Sequence, residues 1–69
     1  MQKTVVSSSN VAEIGFDPDT LTLEVAFHSG DVYQYFDVPE SVYQQLMQAS
    51  SIGTFLNQEI KNSYRYARQ

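Results

Sequence analysis

The apolar pattern changes period at Pro39. Before it, apolar residues recur at every second position, in "VAEIGFD" (11–17), "TLTLEVAFH" (20–28) and "DVYQYFDV" (31–38). After it, Val42, Tyr43, Leu46, Met47 and Ala49 recur at helical spacing. A period of two gives a strand one apolar face, and a period near 3.6 gives a helix one apolar stripe. The chain should therefore be strands first and helices after. The simplest arrangement is α+β: a three-stranded antiparallel β-meander followed by two α-helices packed on one face. With 69 residues and 42% hydrophobic content, there is core for one small domain, 10–69, preceded by residues 1–9 as a weakly ordered lead-in or short edge segment.

Turn chemistry sets the registers. Asp17-Pro18-Asp19-Thr20 has the residues a type I turn prefers, and as a four-residue loop it places Phe16 opposite Leu21 and Ile14 opposite Leu23. Ser29-Gly30, taken as a two-residue hairpin loop, sets His28 opposite Asp31, Val25 opposite Gln34 and Leu23 opposite Phe36. On that register Tyr33 and Tyr35 lie on the face opposite the aliphatic one, with Glu13, Glu24, Asp31 and Asp37 around them. Gly15 falls on the same face, where its missing side chain leaves room for an inserted ring or an approaching backbone.

Helix one is expected over Pro39–Ala49, with Pro39 in its first turn and Glu40 at its positive end. Ser50 or Ser51 can cap a second helix, whose Ile52, Phe55, Leu56, Ile60, Tyr64 and Ala67 occupy one half of a helical wheel. If that helix persists to the end, Lys61, Arg65 and Arg68 form a basic stripe on its other side. Gly53 lowers helix stability relative to Ala and is expected to answer a close contact. Gly53 and Asn57 lie one turn apart and could cap a turn, bind a ligand or pack on the sheet.

Composition excludes several functions. The chain has no cysteine, so disulfides and thiolate ligands are out, and one histidine is too few for a zinc site. The net charge is −4, with all eight acids between Glu13 and Glu59 and a basic segment at 61–69. No cofactor and no small-molecule substrate are expected of so small a core. "MQKTVVSSSN" lacks an apolar run of signal-peptide length and no segment approaches a membrane span, so a soluble cytoplasmic protein without a membrane partner is expected. His28 facing Asp31 beside Ser29 is expected to be a hydrogen-bonded turn, not a catalytic pair, and Asp17-Pro18-Asp19 a turn, not a calcium loop.

Taken in order, Ser8-Ser9, Ile14-Gly15-Phe16, Gly30, Tyr33-x-Tyr35, Val38-Pro39, Ser51-x-Gly53-x-Phe55-Leu56-Asn57, Ile60-Lys61 and Tyr64 resemble the KTSC domain family. Its name comes from the C-terminus of some lysyl-tRNA synthetases, and it also occurs as small free-standing bacterial and phage proteins. Phe16 and Phe55 stand where the family often has Tyr. The family is functionally uncharacterised, and the resemblance implies RNA binding only through the synthetase association.

Two uses are thus expected of a non-enzymatic module. One is RNA or tRNA binding through Tyr33 and Tyr35 with Lys61, Tyr64, Arg65 and Arg68, bases stacking on the rings and cations meeting phosphates. The other is a protein-interaction or homodimerisation surface at Tyr33/Tyr35. A third possibility is structural: the tail "KNSYRYARQ" covers the two tyrosines, its bases answering the surrounding acids.

Overall fold

A computed structural model describes residues 1–69. Five strands form one antiparallel sheet in chain order: β1 (Lys3–Val5), β2 (Val11–Asp17), β3 (Thr22–Phe27), β4 (Val32–Tyr35) and β5 (Tyr66–Arg68). Between β4 and β5 run α1 (Glu40–Gln48) and α2 (Ile52–Phe55), the latter passing directly into a π-helical turn, Leu56–Ile60. The fold is α+β, and the expected three-stranded meander is the centre of a five-stranded sheet. Residues 1–9, expected as a lead-in or an edge segment, contribute the edge strand β1.

Helices cover one face of the sheet. Ile14, Leu23, Val25 and Tyr35 from the strands join Leu46 of α1 and Ile52, Leu56 and Ile60 of the second helix in a single core. Each such side chain, once removed from water, stabilises by roughly 1.5–3 kcal/mol. Phe16 adds to this layer by stacking on Tyr43 of α1, ring centroids 4.8 Å apart. Pro39 precedes α1, where its missing N–H is no loss. Ser51 caps α2, its Oγ accepting from the Thr54 amide at 3.3 Å. No helix is long and apolar enough to cross a membrane.

Both hairpins depart from the expected registers, with different consequences. In the first, Phe16 pairs with Leu23 and Ile14 with Val25, a slip of two that keeps these four on their expected face, while an irregularity between Val11 and Glu13 lets Val11 into the core as well. Asp17 Oδ1 accepts from the Asp19 amide at 2.9 Å, and Leu21, expected on the apolar face, sits instead in the loop with φ 54° and 39% exposure. In the second, the loop has three residues, His28-Ser29-Gly30. The Phe27 amide donates to the Asp31 carbonyl, the Gly30 amide to the Phe27 carbonyl, and Gly30 takes φ 97°. That is the turn-plus-glycine loop which needs a left-handed third position.

The extra loop residue moves β4 by one place. Val25 now faces Tyr33 and Leu23 faces Tyr35. A slip of one exchanges the faces of a strand. Tyr33 and Tyr35 therefore lie on the helix side, not on the opposite face, and Tyr35 is only 3% exposed.

The tail also departs from expectation. The helix ends after the π turn, and residues 66–68 pair with β4, Tyr66 opposite Tyr35 and Arg68 opposite Tyr33. The Phe36 amide donates to the Arg65 carbonyl and the Gln69 amide to the Val32 carbonyl, extending that ladder at both ends. The free edge of β4 offered hydrogen bonds that helix propensity could not match. Lys61, Arg65 and Arg68 consequently form no helical stripe.

On the outer face, β1 and β2 explain Gly15. A Cβ there would lie 2.9 Å from the Gln2 carbonyl oxygen and 3.0 Å from the Met1 side chain, so only glycine admits the N-terminal segment this closely. Lys3, Gly15, Glu24, Gln34 and Ala67 lie in one row across the five strands.

Candidate functional site

Beyond the second helix the sheet continues uncovered. At the C-terminal edge of the sheet, β4 and β5 meet the helix layer at Leu56, Asn57 and Lys61, leaving an open groove of about 290 Å³. The floor is aromatic. Phe27 meets Tyr33 edge to face at 5.8 Å, and Tyr66 leans on both Tyr33 and Tyr35, again at 5.8 Å. Tyr35 is deepest, and burial, with the neighbouring Tyr33 and Tyr66, raises its phenol above the ordinary tyrosine value. Tyr66 forms the rim at 56% exposure. Asp31 and Ser29 close the end nearest the β3–β4 loop.

Most cations of the chain are already paired. Arg68 donates to Asp31 at 2.6 Å and Arg65 to Asp37 at 2.9 Å, its guanidinium also resting over the Phe36 ring. Lys3 binds Glu24 at 2.6 Å, and Gln34 donates to the same carboxylate at 2.7 Å. These hydrogen bonds raise the Lys3 ammonium above its usual value and hold the Glu24 carboxyl below its own. Lys61, on the groove wall, is the base that has no ion pair.

A second cavity of about 340 Å³ lies between the loop Ser7–Asn10 and the start of the second helix, Ser50–Thr54. It is lined by hydroxyls and carboxamides. The Ser8 Oγ accepts from the amides of Asn10 and Val11, closing the loop on itself. Gly53 was expected to answer a close contact and does not. A Cβ on it would meet Asn10 Nδ2 at 3.9 Å and Ser8 Oγ at 4.0 Å, ordinary packing, so the glycine's effect is to leave the cleft open. Asn57 lines both the cleft and the aromatic groove.

A sequence model of the KTSC domain matches residues 7–64. The chain belongs to the KTSC domain family. A KTSC domain protein from Yersinia pestis, known from its crystal structure, is 40% identical, with a TM-score of 0.95 over 99% of this chain and 96% of that one. An uncharacterized protein of Stutzerimonas stutzeri is 42% identical over 69 residues, covering 99% of this chain and 97% of its own. A lysine–tRNA ligase of Nostoc punctiforme is 38% identical over 58 residues; the match spans 84% of this chain but 10% of the ligase.

In this KTSC domain, three of the residues singled out by the sequence, Tyr33, Tyr35 and Lys61, come together in the groove. Tyr64 instead packs against the core, Arg65 lies over Phe36, and Arg68 stands beside the groove through its bond to Asp31. The tail does meet the tyrosines, as a strand beside them whose Tyr66 leans across. His28 does not face Asp31: its Nε2 lies 3.0 Å from the Ser8 carbonyl, which can only accept, so the ring donates there, while Asp31 receives Arg68 and Ser29. No cluster of three or more His, Asp or Glu side chains is gathered as metal ligands would be.

Phe27 and Tyr66 were not anticipated as groove residues, while Asn57, for which ligand binding was one of three readings, lines the groove. The signal for the inward-facing aromatic row is Gly30. Counted as the third residue of a left-handed loop position, it shifts β4 by one and turns the aromatic row inward.

Proposed function

We propose that this KTSC domain is a non-enzymatic binding module whose groove at Tyr33, Tyr35 and Tyr66 receives a segment of a partner protein. The observation that carries the reading is the aromatic floor of that groove, left open where the helix layer stops. Tyrosine combines a large apolar ring with a hydroxyl that stays solvated, which suits a surface that must be wet when free and dry when bound. The domain's one histidine is engaged by a backbone carbonyl and does not line the groove.

A second reading, RNA bases stacked on the same rings, draws on the likeness to a stretch of a lysine–tRNA ligase. Charge disfavours it. The chain carries −4, and Lys3, Arg65 and Arg68 are held by carboxylates, leaving Lys61 as the free cation at the groove.

An amide-shift titration separates the readings. The domain is titrated with a pool of randomised dodecapeptides, with unfractionated tRNA and with a short single-stranded RNA, at low and near-physiological salt. The proposal expects peptide-induced shifts around 27–35, 56–61 and 66 that survive added salt. Shifts produced only by RNA and fading with salt would establish the second reading instead. Concentration-dependent shifts without any ligand would assign the groove to a second copy of the chain.

A further inference from the structure

We infer that the aromatic groove and the serine-lined cleft form one continuous track for an extended acidic peptide, with the Asn57 carboxamide hydrogen-bonding the peptide backbone at the junction. The inference rests on the protein-binding reading of the groove and adds the ligand's shape, charge and a reading residue.

Asn57 is the residue common to both cavities. Its carboxamide is exposed and takes part in no hydrogen bond within the chain. A carboxamide offers two donors and an acceptor, the complement of a peptide unit's C=O and N–H. Lys61 follows four residues later, on the same side of the helix, and it too is unpartnered. The two stand on and directly after a π-helical turn, whose Lys61 amide reaches back to the Leu56 carbonyl at 2.9 Å. Such turns are uncommon and recur at functional positions.

The two cavities demand different chemistry from one ligand. The groove asks for an apolar side chain on its rings and an anion at Lys61. The cleft holds no charged side chain and offers only hydroxyl and amide groups at Ser7–Asn10, Ser51 and Thr54. A polypeptide supplies this sequence of demands: an apolar residue two positions from Asp or Glu, then neutral backbone. A polyphosphate chain does not, because its charges would enter a cleft without a cation and pass Asp31 at the groove end. In an extended strand successive side chains point to opposite faces, so a carboxylate and an apolar side chain that enter the same groove would lie two residues apart.

The test selects binders from a random dodecapeptide library on the intact domain, then measures affinities by fluorescence anisotropy and contacts by amide shifts. Expected are peptides with an aromatic or aliphatic residue two positions from Asp or Glu, shifting both 31–35 and the segments 7–10 and 51–57. Asn57→Ala should weaken them about tenfold, the value of one or two hydrogen bonds. Lys61→Gln should weaken them about threefold, as for an exposed ion pair, and only while the peptide carries its acid. Gly53→Leu, which fills the cleft beside Ser8 and Asn10, should weaken them at least as much as Asn57→Ala. Asn57→Ala and Lys61→Gln should melt like the parent, and Gly53→Leu no lower, since Leu favours a helix over Gly. Peptides that shift only the groove and ignore Asn57→Ala and Gly53→Leu would overturn the track while leaving the groove reading intact. Enrichment of basic peptides would overturn the charge assignment, and no enrichment at all would overturn both the track and the reading beneath it.

Discussion

The outer face of the sheet and the helix-side groove are built from alternate residues of the same strands, yet they treat their polar groups in opposite ways. Outside, Lys3, Glu24 and Gln34 sit in one row and satisfy one another, and Gly15 lets Met1 and Gln2 lie down over it. Inside, Tyr33, Tyr35 and Tyr66 pack against one another while Asn57 and Lys61 beside them have no partner. A bare sheet face is the obvious place to look for a binding surface. Here the face without helices is the self-contained one, and the opening lies where the helix layer ends short of the sheet's edge.

The comparison breaks first at Tyr35. Tyr35→Ala should cost about 3–5 kcal/mol, as for a large aromatic removed from a core, against a total stability of roughly 3–10 kcal/mol for a chain of this length. Urea unfolding measures it. A loss below about 1 kcal/mol would mean that the ring is not core.

Gly15→Ala sharpens the outer half. Its Cβ would meet the Gln2 carbonyl at 2.9 Å, so β1 must move, at a cost of about 1–3 kcal/mol. Amide exchange at residues 3–5 should rise to that of a free terminus while the groove residues keep their protection. Unchanged exchange would show that the N-terminal segment does not rest on Gly15.

A smaller effect separates the faces by pH. The Glu24 carboxyl is lowered in the folded state, so its contribution is present above the unfolded carboxyl value near 4.5 and is lost as pH falls through the lower folded value. Lys3 is raised, so its share is present below the unfolded value of 10.5 and is lost as pH climbs through the higher folded one. Between those limits the pair contributes fully. Glu24→Gln should lower the melting temperature in that window and flatten its fall on the acid side. An acid limb as steep as the parent's would assign the dependence to other carboxylates.

The smallest change in stability should come from Tyr66→Ala. At a half-exposed edge position it should cost less than about 1 kcal/mol, while removing most of the groove's affinity for peptide. A melting loss as large as that of Tyr35→Ala would make Tyr66 structural and leave the groove without its rim.

Much of this was written in the chain in plain form. The period change at Pro39, a cap at Ser50 or Ser51 and the aliphatic face Ile14, Leu23, Val25 follow from spacing and local hydrogen bonding, and the structure contains them, with Ser51 as the cap. What escaped is non-local or turns on one residue. Ser29-Gly30 and His28-Ser29-Gly30 are both acceptable loops, and choosing between them decides the side on which two tyrosines lie. The stripe through Ala67 satisfies a helical wheel, but "YRYAR" also alternates, and the open edge of β4 drew it into a strand. The groove inherits both effects: without the three-residue loop it has no floor, and without β5 it has no rim.

The most direct test of the account is ring exposure of the five tyrosines by dye-sensitised nuclear polarisation (photo-CIDNP) on the free domain. The account predicts a strong signal from Tyr66, a weaker one from half-buried Tyr33 and none from Tyr35. Equally strong signals from Tyr33 and Tyr35 would return both rings to the outer face and contradict the register on which the groove depends.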